Sequence, residues 1–340
     1  MTCLADVQRP SRLRRVLVTG ATGGVGSELL RAFEACDGIA ATGMSRTGGK
    51  NVVQWDFLGD PPQDIRHRWD VVVHAAASTR WTMSVEEAID ANLRPTQRLL
   101  NMLPDETRLV YLSTAHVTGR TGSVDSSAVE DYRNTYEWSK AACERLVRER
   151  PNTVIVRFPI VFGRRSDGHL DRYSGMFKLI PAISSGLVPA VVGVETAPFD
   201  IVAVDELAAK IVDAALSDDA RMVRIGCGPA AATVDDVVDI AVAALNEWRG
   251  CHGHEPIQRP PLLPPDRWHR FFLPFARQHF SPLQLKTIDV FSEFEPYFCM
   301  TDPFEVDQQV TEPHEVIRRT VGRWAEDHPR GASRAQLPWR

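Results

Sequence analysis

The sequence lacks cysteine pairs, long apolar runs and a surplus of positive charge, and each absence excludes a class of protein. Its six cysteines are scattered without a CxxC pair, which argues against a disulfide framework and favours free thiols in a reducing compartment. No apolar stretch approaches the roughly 20 residues that a membrane helix needs, and the pattern of a secretion signal is absent. A formal net charge of −5 is unlike that of a nucleic-acid binder. We therefore expect a cytoplasmic protein that binds neither membranes nor nucleic acid.

One short segment has the residue types of a metal site. Cys251, His252 and His254 lie close together, with a spacing too tight for an ordinary zinc site and no second half of a site elsewhere. We interpret this segment as a surface loop and predict that no metal is bound.

The first half of the chain alternates apolar, β-branched runs with amphipathic segments. Several runs are continuously apolar, as expected for strands that are covered on both faces. The predicted strands are 16–19, 39–43, 51–55, 71–74, 109–113 and 153–158, and the predicted helices are 25–36, 84–103 and 135–150. Regular alternation of this kind predicts an α/β fold with a doubly wound parallel sheet.

The pattern changes after residue 163. Strands are predicted at 201–204 and 222–225, and helices at 205–216 and 233–248. Aromatic side chains are concentrated in 268–298, where they would line an apolar substrate tunnel, fill a core or form a dimer face.

A glycine-rich turn follows the first predicted strand and precedes the first predicted helix. Gly20 allows a sharp turn, Gly23 lets the backbone approach a pyrophosphate, and Gly26 lets the helix pack close to the strand. N–H groups at the start of the helix would then face the phosphates. The turn therefore predicts a dinucleotide site. The residues assigned to this cradle are Gly20, Thr22, Gly23, Gly24 and Val25.

The end of the second predicted strand distinguishes the two nicotinamide cofactors. An acidic residue there would bind the ribose 2′-hydroxyl of NAD, whereas a basic residue suits the 2′-phosphate of NADP. The chain has Ser45 and Arg46 at this place and no acid nearby, so NADP(H) is favoured over NAD(H). After the third strand, Asp56 and Phe57 are assigned to the adenine, with an ordinary turn as the alternative.

Tyr136 and Lys140 lie four residues apart on a predicted helix, and therefore on one face of it. A neighbouring ammonium favours the phenolate and lowers the pKa of a tyrosine from about 10 toward the working pH. Tyr136 would then act as a general acid or base on a carbonyl or hydroxyl. Lys140 would also bind the nicotinamide ribose.

These motifs belong to an ordered series that resembles the extended short-chain dehydrogenase/reductase superfamily over roughly residues 14–240. The series consists of the three glycines, His74 with Ala75, Ala76 and Ala77, Asn92, Ser113 with Thr114, Tyr136-x-x-x-Lys140, and Arg157-Phe158-Pro159. The resemblance implies a Rossmann sheet of about seven strands. It also implies a smaller C-terminal substrate-binding lobe.

The resemblance also implies roles for individual residues. Thr114, Tyr136 and Lys140 would form the catalytic set, with Thr114 preferred over Ser113 because it directly precedes Ala115. Asn92 would be a structural or proton-relay residue, and His74 a structural one. The three alanines would let the cofactor approach, and the backbone at Phe158, Pro159 and Val161 would lie near its carboxamide.

On this basis the chain divides into two parts. Residues 12–163 would form an NADP-binding Rossmann domain with returning segments near 198–226, and 164–197 with 227–330 the substrate-binding lobe. Residues 1–11 and 331–340 would be flexible termini, and a homodimer is expected.

Further motifs are similar to those of the fatty acyl-CoA reductase and thioester reductase branch. They are Ala75-Ala-Ala-Ser-Thr79-x-Trp81, Ser113-Thr-Ala-His-Val117-x-Gly119 and, more weakly, Phe294-Glu-Pro-Tyr297. Enzymes of this branch reduce a CoA or carrier-protein thioester to an aldehyde or alcohol. The resemblance implies hydride addition to a carbonyl carbon, with proton donation by Tyr136. Arg164 and Arg165 would bind a substrate phosphate or form a solvated loop.

Three alternatives stay open. A nucleotide-sugar epimerase or reductase is disfavoured by Arg46, and a sugar dehydratase by Ala115 and His116, which replace the acidic pair of such enzymes. A ketone or aldehyde reductase, or a hydroxysteroid-type dehydrogenase, fits the same motifs. A non-catalytic NADP(H) sensor is disfavoured because Tyr136 and Lys140 are both present.

Overall fold

The continuously apolar runs of the first half form neighbouring strands of one parallel sheet. In the computed structural model, which describes residues 13–187, 189–217 and 221–336, this sheet has eight strands. The strands of the described chain are β1 (Arg14–Thr19), β2 (Ile39–Ser45), β3 (Val52–Gln54), β4 (Val71–His74), β5 (Arg108–Leu112), β6 (Thr153–Arg157), β7 (Ile160–Phe162), β8 (Val191–Val192), β9 (Pro198–Phe199), β10 (Ile201–Ala203), β11 (Met222–Gly226), β12 (Ala232–Thr233), β13 (Leu262–Leu263) and β14 (Gln308–Gln309).

The main sheet has the strand order of a Rossmann fold. Its order is β14-β11-β6-β5-β4-β1-β2-β3, and its paired strands run parallel. The order reverses at β1, which pairs with β4 on one side and β2 on the other. Ligands bind at such a switch point, outside the carboxyl ends of the strands. The predicted sheet is thus confirmed. It has an eighth strand, the short β14, which consists of two glutamines and was not predicted from the sequence.

Helices cover both faces of the sheet. The α-helices are α1 (Gly24–Glu34), α2 (Val85–Ala88), α3 (Arg94–Met102), α4 (Thr135–Val147), α5 (Leu179–Ser184), α6 (Val204–Leu216), α7 (Val234–Cys251), α8 (Pro265–Arg267), α9 (Leu273–His279), α10 (Pro282–Ser292), α11 (Glu295–Phe298), α12 (Pro313–Asp327) and α13 (Pro329–Ala332). Short 3-10 segments lie at Val129–Asp131, Gly175–Lys178 and Gly228–Ala230, and π-helical segments at Ile89–Leu93 and Trp268–Phe272.

Alternate residues of the central strand belong to two different cores. Val16 and Val18 pack with Phe33 of α1 in one cluster, whereas Leu17 packs with Leu99 of α3 in the other. All five side chains are buried. Because both faces of the strand are covered, the run is continuously apolar, as the sequence analysis supposed.

The predicted helix 84–103 is interrupted. Ser84 caps α2 with a capping box to Glu87, after which the chain passes through the π-helical segment before α3 begins. Pro95 lies in the first turn of α3, where its missing N–H removes a regular hydrogen bond of a continuous helix. The pattern of apolar residues did not reveal this change of helix type.

A small core in the second half of the chain is separate from the main one. Trp268, Ala276 and Ile288 pack with Val192, and all four are buried. Phe275, in contrast, is 53% exposed, so the aromatic segment is neither wholly core nor wholly surface. Within the described ranges no helix combines the length and apolar character that crossing a membrane requires. Of the termini predicted to be flexible, residues 1–11 and 337–340 lie outside the described part of the chain.

Candidate active site

The turn between β1 and α1 has no room for side chains at two positions. Gly20 has a φ of 69°, and a Cβ there would lie 2.8 Å from the backbone of Ala76. A Cβ on Gly26 would lie 2.1 Å from the carbonyl oxygen of Gly20, so only glycine fits where α1 crosses the turn. Gly23 caps α1 without a side chain that would occupy the first N–H groups of the helix. The turn is a backbone cradle of the kind that binds a pyrophosphate.

The other residues assigned to the cradle surround it. Thr22 is exposed, and Gly24 and Val25 begin α1. The small residues 75–77 follow β4, and the first two pass directly against Gly20. Side chains larger than alanine would close the approach to the turn from this side.

Ser45 and Arg46 lie at the carboxyl end of β2, beside the cradle. The Ser45 hydroxyl accepts a hydrogen bond from the backbone N–H of Gly48 at 3.2 Å, which leaves its own proton available. Arg46 is exposed, and in the described ranges its guanidinium has no carboxylate partner, while its carbonyl accepts from Gln54. This end of the strand therefore offers a hydroxyl and an unpaired cation.

The two residues assigned to the adenine lie in a turn after β3. Asp56 Oδ1 accepts a hydrogen bond from the backbone of Leu58 at 2.8 Å. Phe57 has a φ of 64°, and its buried ring lies against Trp55 and edge-on to His74. The alternative interpretation of Asp56 as a residue of an ordinary turn explains the role of Oδ1, one of its two carboxylate oxygens.

His74 links three elements below the cradle. Its Nδ1 lies 2.8 Å from Thr19 Oγ1 on β1, and its Nε2 lies 3.2 Å from Thr96 Oγ1 on α3. Burial and the charge of Lys140 lower the pKa of His74 to about 3, so the ring is neutral. A neutral ring with both nitrogens occupied fits a structural role.

Asn92 lies in the π-helical segment and is buried. Its Oδ1 accepts from the backbone N–H of Ser78 at 2.7 Å, and its Nδ2 donates to the carbonyl of Ser78 at 3.1 Å and to Ser139 Oγ at 2.8 Å. The amide therefore ties the segment after β4 to α4. π-helical turns often occur where a helix must place one side chain in this way.

The predicted catalytic residues come from β5 and α4. Thr114 follows β5, and its hydroxyl lies beside the phenol of Tyr136 at the start of α4. Lys140 is one helical turn further on and is buried. Its Nζ donates to the carbonyl of Leu112 and lies 4.1 Å from the ring centre of Tyr111. The structure thus brings the two hydroxyls together, and it turns the amine toward β5.

The expectation that Lys140 lowers the pKa of Tyr136 is wrong for this structure. Burial and the neighbouring Glu137 raise the pKa of Tyr136, and the hydrogen bond with Thr114 offsets only part of this effect. Burial also lowers the pKa of Lys140 to about 8. The phenol is therefore protonated, as a proton donor requires.

One buried polar atom beside this pair lacks a partner. Ser113 Oγ, at the end of β5, makes no hydrogen bond within the described residues. The backbone N–H of Ala115 donates to the carbonyl of Phe158 at 2.9 Å, which joins this strand end to Phe158, Pro159 and Val161. Buried hydroxyls are normally paired. The glycine cradle, the unpaired Arg46 and this hydroxyl together fit a bound dinucleotide.

Three aromatic side chains, Trp81, Phe294 and Tyr297, form a wall beside α4. Tyr297 stacks on Trp81 with centroids 4.5 Å apart, and Phe294 lies 4.7 Å from the same indole. The imidazole of His116 meets Tyr297 edge-on at 4.9 Å. The Tyr297 hydroxyl donates to Glu137 Oε1 at 2.6 Å, and Glu137 directly follows Tyr136. This wall joins the second half of the chain to α4.

Sequence reasoning did not assign Glu137 or His116 to the site. Glu137 is fully buried, which raises its pKa, and Arg133 lies 3.3 Å away as its counter-ion. Nothing in the helical periodicity distinguishes a buried glutamate from a solvated one. The only available signal was its position next to Tyr136.

Arg164 and Arg165 are paired with carboxylates of the chain itself. Arg164 donates to both carboxylate oxygens of Glu28 on α1, at 2.9 to 3.1 Å. Arg165 pairs with Glu206 of α6 and with Glu312. Because their charges are already matched, the interpretation as ligands of a substrate phosphate is corrected: both hold the segment after β7 in place.

The segment interpreted as a surface loop has ordinary contacts. Cys251 is exposed, and the ring of His252 stacks on Trp248 at 4.1 Å. Across the described ranges, no three His, Cys, Asp or Glu side chains are grouped so that they would hold a metal ion.

The chain is similar to a known protein family, to one curated protein and to several solved structures. The family described as "Male sterility protein", an NAD-binding family, matches residues 60–211. Methionine adenosyltransferase 2 subunit beta of Danio rerio is 31% identical over 160 residues. That match covers 44% of this chain and 49% of the other protein, so the chain aligns with about half the length of this relative.

Two solved structures share the fold over nearly the whole chain. The terminal R domain from the myxalamid PKS–NRPS biosynthetic pathway superposes with a TM-score of 0.71 at 18% identity, covering 97% of this chain and 94% of that domain. The UDP-N-acetylglucosamine 4-epimerase from Methanobrevibacter ruminantium M1 gives 0.63 at 19% identity, covering 92% and 99%. At these identities the likeness concerns the fold. The family match over residues 60–211 and the shared Rossmann fold agree with the motif series, which resembles that of the extended short-chain dehydrogenase/reductase superfamily.

Proposed function

We propose that the chain is an NADPH-dependent reductase that acts on the carbonyl of an acyl thioester, or on a derived aldehyde or ketone. The observation that carries this proposal is the juxtaposition of the Thr114 and Tyr136 hydroxyls at the carboxyl edge of the sheet, the edge at which the glycine cradle also lies. Two hydroxyls at one point suit a developing oxyanion. The site residues and the division into cofactor and substrate regions are part of the proposal.

The cofactor would be held along one edge of the sheet. The backbone of the glycine turn would bind its pyrophosphate, and Ser45 and Arg46 its 2′-phosphate. Ser113 Oγ would gain a partner near the nicotinamide end. When bound, NADPH supplies the hydride. The preference for NADP(H) over NAD(H) rests on the unpaired guanidinium of Arg46.

Two residues of the chain would stabilise the negative charge that develops on the carbonyl oxygen. Thr114 and Tyr136 would donate hydrogen bonds to this oxygen, and Tyr136 would transfer its proton as the negative charge develops. The raised pKa of Tyr136 supports this direction, because a protonated phenol has a proton to give to the carbonyl oxygen. Lys140, with a pKa lowered to about 8, would leave the Leu112 carbonyl to bind the ribose and approach the phenolate.

The aromatic wall supports an acyl substrate. Trp81, Phe294 and Tyr297 offer an apolar surface next to the hydroxyl pair, which suits an acyl chain better than a sugar. The segments 164–197 and 227–330 would form the lobe that binds this substrate. The likeness to an R domain of a biosynthetic assembly line agrees with a substrate held as a carrier or CoA thioester.

The decisive experiment is NADPH oxidation with a panel of acyl-CoA and acyl-pantetheine thioesters, the matching aldehydes, simple ketones and UDP-hexoses. We expect turnover on at least one thioester and its aldehyde. Because epimerisation consumes no NADPH, the UDP-hexoses are followed by product analysis, and their conversion alone would favour the epimerase alternative. Cofactor binding without turnover on any compound would favour a sensor.

Within this panel, Tyr136→Phe tests the assigned proton donor. The substitution keeps the ring and removes the hydroxyl that contacts Thr114, so we expect turnover to fall by about 10²- to 10⁴-fold. NADPH affinity, measured by fluorescence titration, should change little because the cradle is elsewhere. Full activity of this variant would refute the role of Tyr136.

A further inference from the structure

His116 lies two residues after Thr114 and is held beside the hydroxyl pair by its backbone. Its N–H points to Thr114 Oγ1 at 3.4 Å, and its carbonyl accepts from the N–H of Gly119 at 3.1 Å. Gly119 has a φ of 57°, which tightens the turn at this point. His116 and Thr114 therefore both belong to the short segment that follows β5.

The ring orientation is fixed by packing. The imidazole meets Tyr297 at an interplanar angle of 67°. Tyr297 is itself held from three sides: its hydroxyl donates to Glu137, it accepts from Asn134 Nδ2 at 2.7 Å, and its ring stacks on Trp81. Because Tyr297 is held in place, the imidazole of His116 that packs against it has one orientation.

Within the described part of the chain, neither ring nitrogen of His116 makes a hydrogen bond or an ion pair, and the residue is partly exposed. His74 is the opposite case, because both of its nitrogens bond to threonines. Burial and the positive charge of Arg133 lower the pKa of His116 to about 4. The ring is therefore neutral and carries one N–H donor and one acceptor.

We propose that His116 contacts the substrate on the far side of the reacting carbon from the oxygen, where its N–H donates a hydrogen bond to the thioester sulfur. This assignment rests on the proposed thioester reduction. The carbonyl oxygen already has two donors in Thr114 and Tyr136. The nearest remaining polar group of a thioester is its sulfur, and His116 is the adjacent donor without a partner in the described site.

The contact matters most when the carbon–sulfur bond breaks. Hydride addition and protonation of the oxygen by Tyr136 give a hemithioacetal. In the next step the hydroxyl proton returns to the Tyr136 phenolate, the carbonyl re-forms, and the electron pair of the carbon–sulfur bond passes to sulfur. The thiolate then takes a proton from solvent. His116 keeps its own proton throughout and stabilises the charge that develops on sulfur, since hydrogen bonds to charged groups are the stronger ones.

The test compares an acyl thioester with the aldehyde of the same acyl chain, because the aldehyde has no leaving group. His116→Phe keeps an aromatic ring against Tyr297 and removes the N–H. We expect the ratio of thioester to aldehyde kcat to fall by about 10- to 100-fold, the range of a hydrogen bond to a charged group. The loss should shrink for thioesters of more acidic thiols, whose thiolates need less stabilisation. His116→Gln, which restores an N–H donor, should recover most of the ratio.

The matched control is His67→Phe, the same substitution at an exposed histidine that lies outside the substrate-binding lobe and whose ring meets Trp69 edge-on. It should leave the ratio unchanged. Thermal melting and NADPH titration check that each variant is folded, and His116→Leu replaces the phenylalanine variant if that one does not fold. Equal losses on both substrates, or no loss in the folded variants, would overturn the role of His116. If the native enzyme reduces the aldehyde but no thioester, the proposed substrate fails instead.

Discussion

At the scale of single residues, the choice between the two cofactors depends on one side chain. Arg46 follows β2 directly, is exposed and has no carboxylate partner in the described ranges. Most other arginines near the site are already paired, as Arg164 with Glu28 and Arg157 with Glu144 illustrate. An unpaired guanidinium at this strand end has the geometry to bind a 2′-phosphate through two hydrogen bonds.

Arg46→Ala should therefore weaken NADPH binding more than NADH binding. Loss of a charge-assisted contact corresponds to roughly 10-fold or more in the dissociation constant of NADPH, whereas NADH has no phosphate to lose. Fluorescence titration with both cofactors measures the two constants. Arg68→Ala, at an exposed arginine that pairs with Glu106, is the control and should change neither constant. Equal weakening of both cofactors by Arg46→Ala would reject the phosphate contact.

At the scale of elements, the start of α1 shows how closely turn, strand and helix depend on one another. A Cβ on Gly26 would overlap the carbonyl oxygen of Gly20, whereas a Cβ on Gly24 would lie 3.5 Å from Leu170 in ordinary contact. Both glycines belong to the same helix and differ in what they face. Gly26 sets the shape of the cradle, whereas Gly24 only covers it.

Gly26→Ala should consequently abolish NADPH binding and lower the melting temperature by several degrees, because a backbone clash at this point must shift the turn or the helix. Gly24→Ala should keep the fold and leave the melting temperature unchanged or higher, since alanine is the better helix former. Differential scanning fluorimetry with and without NADPH separates the two effects. Comparable behaviour of the two variants would show that the close approach at Gly26 does not constrain the turn.

The same elements show what could be predicted from the sequence. Strands such as β4 and β5 were identified because burial on both faces leaves an uninterrupted apolar run. β14 was missed because two glutamines on a sheet edge carry no such pattern. The π-helical segment that places Asn92 was missed because it depends on a local change of hydrogen bonding.

The candidate site divides in the same way. Thr114 and Tyr136 were recognisable by motif, and Thr114 was expected at the carboxyl edge of the sheet because it follows β5 directly. The contact of Tyr297 with Glu137 joins residues 160 positions apart. No local sequence pattern predicts such a contact. The aromatic wall, and the position of His116 against it, are therefore visible only in the folded chain.

At the scale of the whole molecule, buried histidines couple the fold to pH. His74 connects β1, β4 and α3, and burial holds its pKa near 3, while an unfolded histidine titrates at about 6.5. Between these two values the unfolded chain binds a proton that the folded chain does not. The unfolded state is therefore favoured as the pH falls, and the stabilising effect of a neutral His74 is lost progressively below about pH 6.5.

We expect the free energy of unfolding to drop by about 1.4 kcal/mol for His74 between about pH 7.5 and pH 5.5, with a further contribution from His116. Urea denaturation at the two pH values measures the drop. In His74→Gln, which keeps polar atoms beside Thr19 and Thr96, the drop should be smaller by about the same 1.4 kcal/mol, because the other titrating groups are shared and cancel. Lower overall stability of the variant does not affect this difference, since each protein is compared with itself. An identical drop in both proteins would mean that His74 takes up a proton in the folded state, and its role as a neutral link between the strands and α3 would be untenable.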